Sequence, residues 1–505
     1  MIQKKYLIIP MGGIGKRFLD CGYTTYKALL PIDKKTNIFD GIIRNFNKKN
    51  FKIIVLVNKV IWSQIKKKIS EEKYKNVIKI LINPHKKGPL YSLYLSYSKL
   101  KKIINQKDQI YISYSDILWK WNLSKINKII NINNVSTVFT HSGFHPHINI
   151  NNKSDFCKVE KKIIKKISEK KPFGLDYKKE ELAIGCYFIK SFSYLDFFFN
   201  NYKFTKKKEI YLLELVNFLI KNNFRTNILR INKFAHLGIP SQYVDFVYWK
   251  KYFTYLNKIS NNNLFTEYKC YMLINGKGKR VESITKYKFL LKINNKPIFK
   301  KVLEYFNCYK NILITNKEYK NKLKKTGKYN FYEVNQSNSM FETIILCSNI
   351  LKKDNNYFLT SCDCYGFFDQ LKLKYCIDNF DFDLIIFSFD LTYTQKYLNN
   401  AHTQLVTKNN YIKDIIVKSN YNANLKGQAG FFWVKNGNIF NYIHNFKQSK
   451  NYRSITREVI LDDYFKYLIK RRLAKAIYIN LDHYIHVGSK NEYEEYVYWE
   501  NFFKK

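Results

Sequence analysis

Two stretches of the chain, HLGIPSQYVDFVYWKKYF at residues 236–253 and HVGSKNEYEEYVYWENFF at residues 486–503, share one frame. Each runs His, any residue, Gly, then a tyrosine, Val-Tyr-Trp and a phenylalanine. A glycine turn recurs as well, PMGGIGKR at residues 10–17 and LINGKGKR at residues 273–280. Each turn leads to a Tyr-Lys pair before apolar residues, Tyr26-Lys27 and Tyr287-Lys288. Between these ends YISYSDILW places Asp116 after a strand-like run, as YFLTSCDCYGFF places Asp363. Three matches in one order, offset by roughly 250 residues, mean duplicated domains, since solenoid repeats are much shorter. We therefore expect an N-terminal domain over residues 1–256 and a C-terminal one over residues 266–505. The join falls in the polar, asparagine-rich LNKISNNNLFTEYK of residues 256–269.

At 505 residues the chain is too long for one ordinary core, and 46% hydrophobic with 17% aromatic content is ample for two packed interiors. That content excludes a disordered chain. The apolar stretches are short and broken by Lys or Asn, so no membrane insertion is expected. The start, MIQKKYLIIPMGG, lacks the apolar stretch and cleavage site of a signal peptide, which points to a cytoplasmic protein. Nine cysteines, odd in number and scattered, read as reduced thiols, and none shares a zinc-site spacing with histidine. The formal charge of +49 invites a nucleic-acid reading, which rests on charge alone. It is spread along the chain, and Lys, Asn, Ile, Tyr and Phe, with largely A- and T-built codons, dominate together. Codon bias suffices to explain it, which leaves open whether the charge is also functional; no specific nucleic acid is expected as a partner.

Within each copy short apolar strands alternate with amphipathic helices. In the first, YLIIPM, KIIVLVN, VIKILIN and QIYISYSD read as strands. FDGIIRNFNKKN, VIWSQIKKKISEEKY and GPLYSLYLSYSKLKKII read as helices. The alternation predicts an α/β fold of two tandem Rossmann-like domains with mostly parallel mixed sheets. Ligands of such sheets sit at the C-terminal ends of strands, where residues 12–17 and Asp116 both fall, so the two can share a crevice.

Three phosphate-binding readings compete for GGIGKR. A Walker A loop needs four residues between its glycine and Gly-Lys-Ser/Thr, and Arg17 occupies the hydroxyl position. A dinucleotide fingerprint needs a third small residue after Gly13 and Gly15, and the spacing lands on Phe18. The third reading is a lid over a nucleoside triphosphate, its glycines bringing backbone N–H groups close to phosphates or base. A solvated strand-to-helix turn is the bland alternative, weakened by the second copy.

With these motifs in view the chain resembles a tandem member of the sugar-phosphate nucleotidyltransferases (nucleoside-diphospho-sugar pyrophosphorylases), and among them those of capsule and surface-polysaccharide pathways. That family carries G-G-x-G-x-R followed by Pro-Lys, and the resemblance implies a GT-A-like fold. It implies nucleotide binding by Gly12, Gly13, Gly15 and Lys16, with Gly88 in GPLYSLYL as part of the base-contacting loop. Arg17 and Lys27 take the catalytic places, and Asp116 in SYSDILW resembles the strand-end aspartate that holds Mg²⁺. Glu169 and Lys171 in ISEKKPF resemble the segment that meets the sugar phosphate, and Gly185 in AIGCYFIKS the following glycine-tyrosine strand. HLGIPSQY resembles a late segment near the second metal position. The second-domain counterparts are Gly276, Gly278, Lys279, Arg280, Lys288 and Asp363.

The departures are specific. Tyr26 stands in the place of proline, His236 in that of a second metal-binding aspartate, and Asn275 in that of Gly12; the second copy has no convincing Glu-Lys-Pro segment. The reaction implied is in-line attack of a substrate phosphate on the α-phosphorus of a nucleoside triphosphate, releasing pyrophosphate. Positioning and charge neutralisation do most of that work. Arg17 suits the leaving pyrophosphate, Lys27 the α-phosphate, and Lys171, or equally Lys170, the acceptor phosphate. Mg²⁺ prefers carboxylate and phosphate oxygens, as Asp116 would offer. The three histidines of HSGFHPH, residues 141–147, read as a substrate-proximal loop rather than a metal site, and His236 and His486 as holding a turn or touching substrate. The partners implied are a nucleoside triphosphate and a phosphorylated sugar or related small phosphate ester. Base choice, oligomeric state and the activity of the second domain stay open. A catalytically degenerate regulatory protein that binds nucleotide or sugar phosphate on the same fold is the alternative.

Overall fold

The computed structural model describes residues 3–46, 50–68, 77–148, 154–204, 209–256, 265–390, 402–419, 422 and 425–504. Most of the stretch expected to join the domains, and the end of the helix expected over residues 60–74, lie outside the described residues. The chain forms two compact units, Met1–Lys250 with Asn501–Lys505, and Lys251–Glu500.

The first unit carries β1 (Lys5–Met11), β2 (Phe51–Val57), β3 (Val77–Leu81), β4 (Gln109–Ser113), β5 (Ile117–Lys120) and β6 (Ser136–His141). It continues with β7 (Phe156–Glu160), β8 (Ile163–Ser168), β9 (Glu181–Ile189), β10 (Thr226–Arg230) and β11 (Lys233–His236). The second unit carries β12 (Lys269–Ile274), β13 (Lys292–Ile293), β14 (Lys296–Pro297), β15 (Lys310–Thr315), β16 (Asn330–Glu333), β17 (Asn355–Ser361) and β18 (Cys364–Phe367). Its later strands are β19 (Leu384–Phe389), β20 (His402–Lys408), β21 (Tyr411–Ser419), β22 (Lys426–Asn436), β23 (Ala476–Asn480) and β24 (His483–His486).

Among the described residues each unit holds a nine-stranded sheet, ordered β3-β2-β1-β4-β9-β6-β10-β8-β7 in the first and β16-β15-β12-β17-β22-β19-β23-β21-β20 in the second. Taken strand by strand in chain order, the two orders are the same. A small ribbon of β5 with β11 in the first unit corresponds to β18 with β24 in the second.

Leu7, Ile8, Ile9, Val55, Leu56 and Val57 are 0% exposed, the continuous apolar run expected of strands covered on both faces. The helix Pro89–Ile103 packs Leu90, Leu93 and Leu100 onto one face, together with Leu195 and Phe198 of Phe192–Asn201 and Val216 and Leu219 of Leu212–Lys221. The parallel arrangement expected from strand–helix alternation covers β3, β2, β1 and β4. Beyond them β9 runs antiparallel to both β4 and β6, so each sheet is mixed. The cause is local. Only the two residues Lys161 and Lys162 join β7 to β8, both at positive φ (46° and 69°), and such a turn can only make a hairpin. Asn409 and Asn410 do the same between β20 and β21, with φ of 51° and 66°.

The helix Ile38–Arg44 starts at a capping box, where Asn37 Oδ1 accepts from the Asp40 N–H at 2.8 Å. Among the described residues no helix is long and apolar enough to cross a membrane. The nine cysteines are unpaired.

Candidate active site

β1 ends at Met11 and delivers the chain into the glycine turn. A Cβ at Gly12 would stand 2.5 Å from Ile82 Cδ1 and 2.8 Å from Ser92 Oγ, so the strand closes against its neighbours only with glycine there. Gly13 faces open space, and Gly15, at φ +68°, opens the short helix Lys16–Leu19 in the left-handed region. Lys16 and Arg17 are exposed.

Lys27 begins a short 3₁₀ turn, and its Nζ lies 2.5 Å from Asp116 Oδ2; the two side chains are 21% and 13% exposed. Burial alone would lower the Lys27 pKa, but the charge and hydrogen bond of Asp116 outweigh it and raise it, with Arg17 opposing. Burial would likewise raise the Asp116 pKa, yet Lys27, His236 and Arg17 together lower it. The result is a fixed ammonium–carboxylate pair between the ends of β1 and β4, within the field of Arg17. Tyr26, in the place of a proline, is buried and sets its ring 3.6 Å from where a Cβ at Gly15 would be.

His236 closes β11, where pairing with β5 sets it opposite Ile117, and the Leu237 N–H donates to the Asp116 carbonyl at 2.8 Å. Its Nδ1 lies 2.9 Å from Gln242 Oε1, and burial holds its pKa below the ordinary histidine value. Behind it, His147 Nδ1 donates to the His236 carbonyl at 2.9 Å, and His147 Nε2 lies 2.9 Å from Asp245 Oδ2. His141, His145 and His147 are 6%, 1% and 4% exposed. The three histidines of the HSGFHPH loop are thus packed inward behind His236, while Gly143 at its tip is exposed. His147 spends its nitrogens on a carbonyl and a carboxylate, which is why the segment folds inward.

In the second unit Asn275 stands at the place of Gly12 and is itself buried. Its Nδ2 donates to Asn335 O at 2.9 Å and Ser337 Oγ at 3.0 Å, and its Oδ1 accepts from Asn316 Nδ2 at 2.9 Å. Gly276 faces open space, and Gly278 sits at φ +66°, as Gly15 does in the first unit. Lys288 pairs with Asp363, and Arg280 is exposed. The side chain of Lys279 lies outside the described residues.

Here the histidine differs. His486 Nε2 lies 3.3 Å from Asp363 Oδ2, and its Nδ1 lies 2.8 Å from Glu492 Oε1. Burial would lower its pKa, but Glu492 and the hydrogen bond to Asp363 raise it to about 9. The largest part of the contrast comes from Glu492, which stands where the first unit has Gln242. A cavity of about 1080 Å³ opens over this pair, lined by Gly276, Gly278, Arg280, Lys288, Asp363 and His486, and continuing to Lys418, Thr403 and Asp462.

The other predicted residues fall around the same strand ends. Gly88, at φ +83°, caps the helix Pro89–Ile103, and a Cβ there would stand 2.5 Å from Ile210 O, so this glycine also serves close backbone packing. Gly185, at φ +88°, leaves no room for a Cβ, which would sit 2.4 Å from the Tyr114 ring. Glu169 and Lys171 are exposed, while the Lys170 N–H donates to Asp155 Oδ1 at 3.2 Å and its ammonium sits 4.5 Å over the Tyr211 ring.

The two hairpins reveal what sequence reading missed. In the first, Phe156 pairs with Ser168, Cys157 with Ile167 and Lys158 with Lys166, then after a bulge Val159 pairs with Ile164 and Glu160 with Ile163. In the second, Gln404 pairs with Ile416, Leu405 with Ile415 and Val406 with Asp414, then after the same bulge Thr407 pairs with Ile412 and Lys408 with Tyr411. Lys418 therefore occupies the place of Lys170, and both have left-handed backbone, at φ 47° and 60°. VKS, residues 417–419, takes the place of EKK, residues 169–171, keeping one lysine without the glutamate or the following proline. Counting outward from the paired turns Lys161-Lys162 and Asn409-Asn410 is the signal that could have found it.

No protein-family model matches the sequence, and no curated protein matches it. Among solved structures the chain is similar to a nucleoside-diphosphate-sugar pyrophosphorylase from Vibrio cholerae RC9, at 17% identity over 48% of this chain and 99% of that one, with a TM-score of 0.40. It is similar to a UDP-glucose pyrophosphorylase complexed with UDP-glucose, at 15% identity over 50% of this chain and 100% of that one, with a TM-score of 0.41. A third is the inositol-1-phosphate CTP transferase from T. maritima, at 14% identity over 48% and 99% of the two chains, with a TM-score of 0.36.

Proposed function

We propose that this protein transfers a nucleoside monophosphate from a nucleoside triphosphate to a sugar phosphate, releasing pyrophosphate and making a nucleotide sugar for polysaccharide or glycoconjugate synthesis. The observation that carries the reading is the Lys27–Asp116 pair beside a glycine turn and Arg17, repeated as Lys288–Asp363 beside Gly276, Gly278 and Arg280. Two polyanions must meet in such a reaction, and each unit offers cations at the ends of its central strands. Arg17 takes the leaving pyrophosphate, with its planar fork suited to phosphate oxygens. Lys27, kept as an ammonium by Asp116, stabilises charge on the α-phosphate. Lys170 and Lys171 hold the acceptor phosphate. That phosphate is already a nucleophile near neutral pH, so no general base is needed.

The donor set bears on Mg²⁺. Each unit brings one carboxylate, Asp116 or Asp363, with a histidine in place of a second. Among the described residues no group of three His, Cys, Asp or Glu is arranged to hold a metal ion. One carboxylate fits an ion carried mainly by nucleotide phosphates, which is how Mg²⁺ is usually held. When bound, it supplies further neutralisation of phosphate charge. The first unit fits it better, because Asp363 already faces both Lys288 and His486. That double pairing also favours, for the second unit, the alternative of a binding unit with little turnover.

The test is pyrophosphate release with Mg²⁺, crossing the four nucleoside triphosphates with a panel of sugar 1-phosphates, in wild type, Asp116→Asn and Asp363→Asn. Turnover lost with Asp116→Asn alone assigns catalysis to the first unit. Two separate losses make the protein bifunctional. No turnover across the panel, with nucleotide still bound, sinks the enzymatic reading and leaves the regulatory one.

A further inference from the structure

The wall of the second unit's cavity farthest along from Lys288 is built differently from its counterpart in the first unit. Gln404 and Phe156 are equivalent by register, so by chain position Thr403, where the second hairpin bulges between His402 and Gln404, stands for Asp155. The facing strands extend the comparison. Phe156 pairs with Leu182 and Gln404 with Gly427, so Gln428 stands for Ala183 and Gly430 for Gly185. The helices Leu212–Lys221 and Leu461–Lys470 follow EIY and EVI, so Asp462 stands for Leu213. The first unit thus has Asp155, Leu213 and Ala183 where the second has Thr403, Asp462 and Gln428.

Leu213 is fully buried, so this helix position packs well without any polar atom. Asp462 in the same place is 8% exposed, and Thr403 Oγ1 donates to its Oδ2 at 2.7 Å. Among the described residues it makes no ion pair; Arg457 pairs with the neighbouring Asp463 instead. A buried carboxylate supported by one hydroxyl is costly unless something else donates to it. Asp462, Thr403 and Gln428 all line the cavity, and Lys418 lines it beside them. Lys418 and Arg457 oppose the rise that burial gives the Asp462 pKa without cancelling it, so the carboxyl has room for further donors. In the first unit Asp155, half-buried just ahead of β7, has its Oδ1 taken by the Lys170 N–H at 3.2 Å.

We propose that Asp462 is the group by which the second unit recognises the hydroxyls of its phosphorylated acceptor. Lys418 holds the acceptor phosphate, Asp462 accepts from adjacent hydroxyls, and Gln428 adds a third polar contact. The inference rests on the second unit being a sugar-phosphate site, as proposed above.

The experiment uses the full chain carrying Asp116→Asn, so that pyrophosphate release reports the second unit. Glucose 1-phosphate, 2-deoxyglucose 1-phosphate and ethanolamine phosphate serve as acceptors. Asp462→Asn and Asp462→Leu should each raise the KM for glucose 1-phosphate at least tenfold, with the KM for nucleoside triphosphate within twofold. Adding Thr403→Asp to Asp462→Leu should recover part of the loss, since it returns a carboxyl at the residue that touches Asp462. Thermal unfolding checks that each variant folds, and Asp462→Asn keeps the shape if Leu does not. An acceptor KM unmoved by both variants overturns the proposal, as does a preference for ethanolamine phosphate that follows Asp462. If no pyrophosphate is released, calorimetry with glucose 1-phosphate takes over. Binding weakened tenfold by Asp462→Asn upholds the inference while the catalytic reading fails, and no binding by the unsubstituted chain overturns both.

Discussion

Asp462 carries a second consequence, for stability. Burial pushes its carboxyl up to about 6, with Asp463 adding to the rise and Thr403, Lys418 and Arg457 opposing it. The folded chain then holds that proton more tightly than the unfolded one. Stability is penalised above about pH 6 and recovered as pH falls toward about 4, by at most about 3 kcal/mol. Asp462→Asn should therefore gain stability over wild type at pH 7.5 and lose most of that gain at pH 4.5, read by denaturant unfolding. A difference independent of pH would contradict it. Gly185 makes a simpler case. An alanine there must adopt φ near +88° and displace the Tyr114 ring, so Gly185→Ala should cost about 2 kcal/mol or more and lower the melting temperature. Lys27 and Asp116 were legible as candidates because a repeated motif marked each. Asp462 was not, since a lone aspartate in a helix looks like a solvated face until the sheet brings it to a cavity wall.

At the scale of elements, the β7–β8 hairpin turns on two lysines in left-handed conformation, where asparagine and glycine are at ease. Replacing Lys161-Lys162 with Asn-Gly should stabilise the first unit by about 0.5–1 kcal/mol, seen as a higher unfolding midpoint. An unchanged or lower midpoint would mean the turn is not limiting. The strands themselves could be read from their apolar runs, because central strands buried on both faces leave no alternation to misread. YLIIPM, KIIVLVN and VIKILIN all appear as strands. The antiparallel half of the sheet was harder to see, because β9 pairs with strands far from it in sequence and nothing local encodes that choice. How the histidine segment is held was not legible for a related reason: its partners, the His236 carbonyl and Asp245, lie 89 and 98 positions away in the chain.

At the scale of the whole molecule, the two sheets run in the same strand order, each with its own lysine–aspartate pair. Chemistry in one unit should then survive damage to the other. Asp363→Asn should leave first-unit turnover within twofold, while Asp116→Asn should lower it at least a hundredfold, measured as pyrophosphate release with the acceptor each unit prefers. Loss of first-unit turnover on both substitutions would mean the sites do not work independently. The recurrence of motifs made the two-part organisation visible in the sequence, whereas the contrast between Gln242 and Glu492 takes on meaning only once each is found against its histidine.

One polypeptide with two such sheets also fixes a ratio. Two separate enzymes would vary in relative amount with synthesis and degradation, and their combined output would drift with them. Covalent tandem arrangement locks the copy number of the two crevices at parity in every molecule. Should both units turn over substrate, a difference in their output comes from affinity and rate alone, and so from side chains in which they differ, Asp462 and Gln428 of the second unit among them.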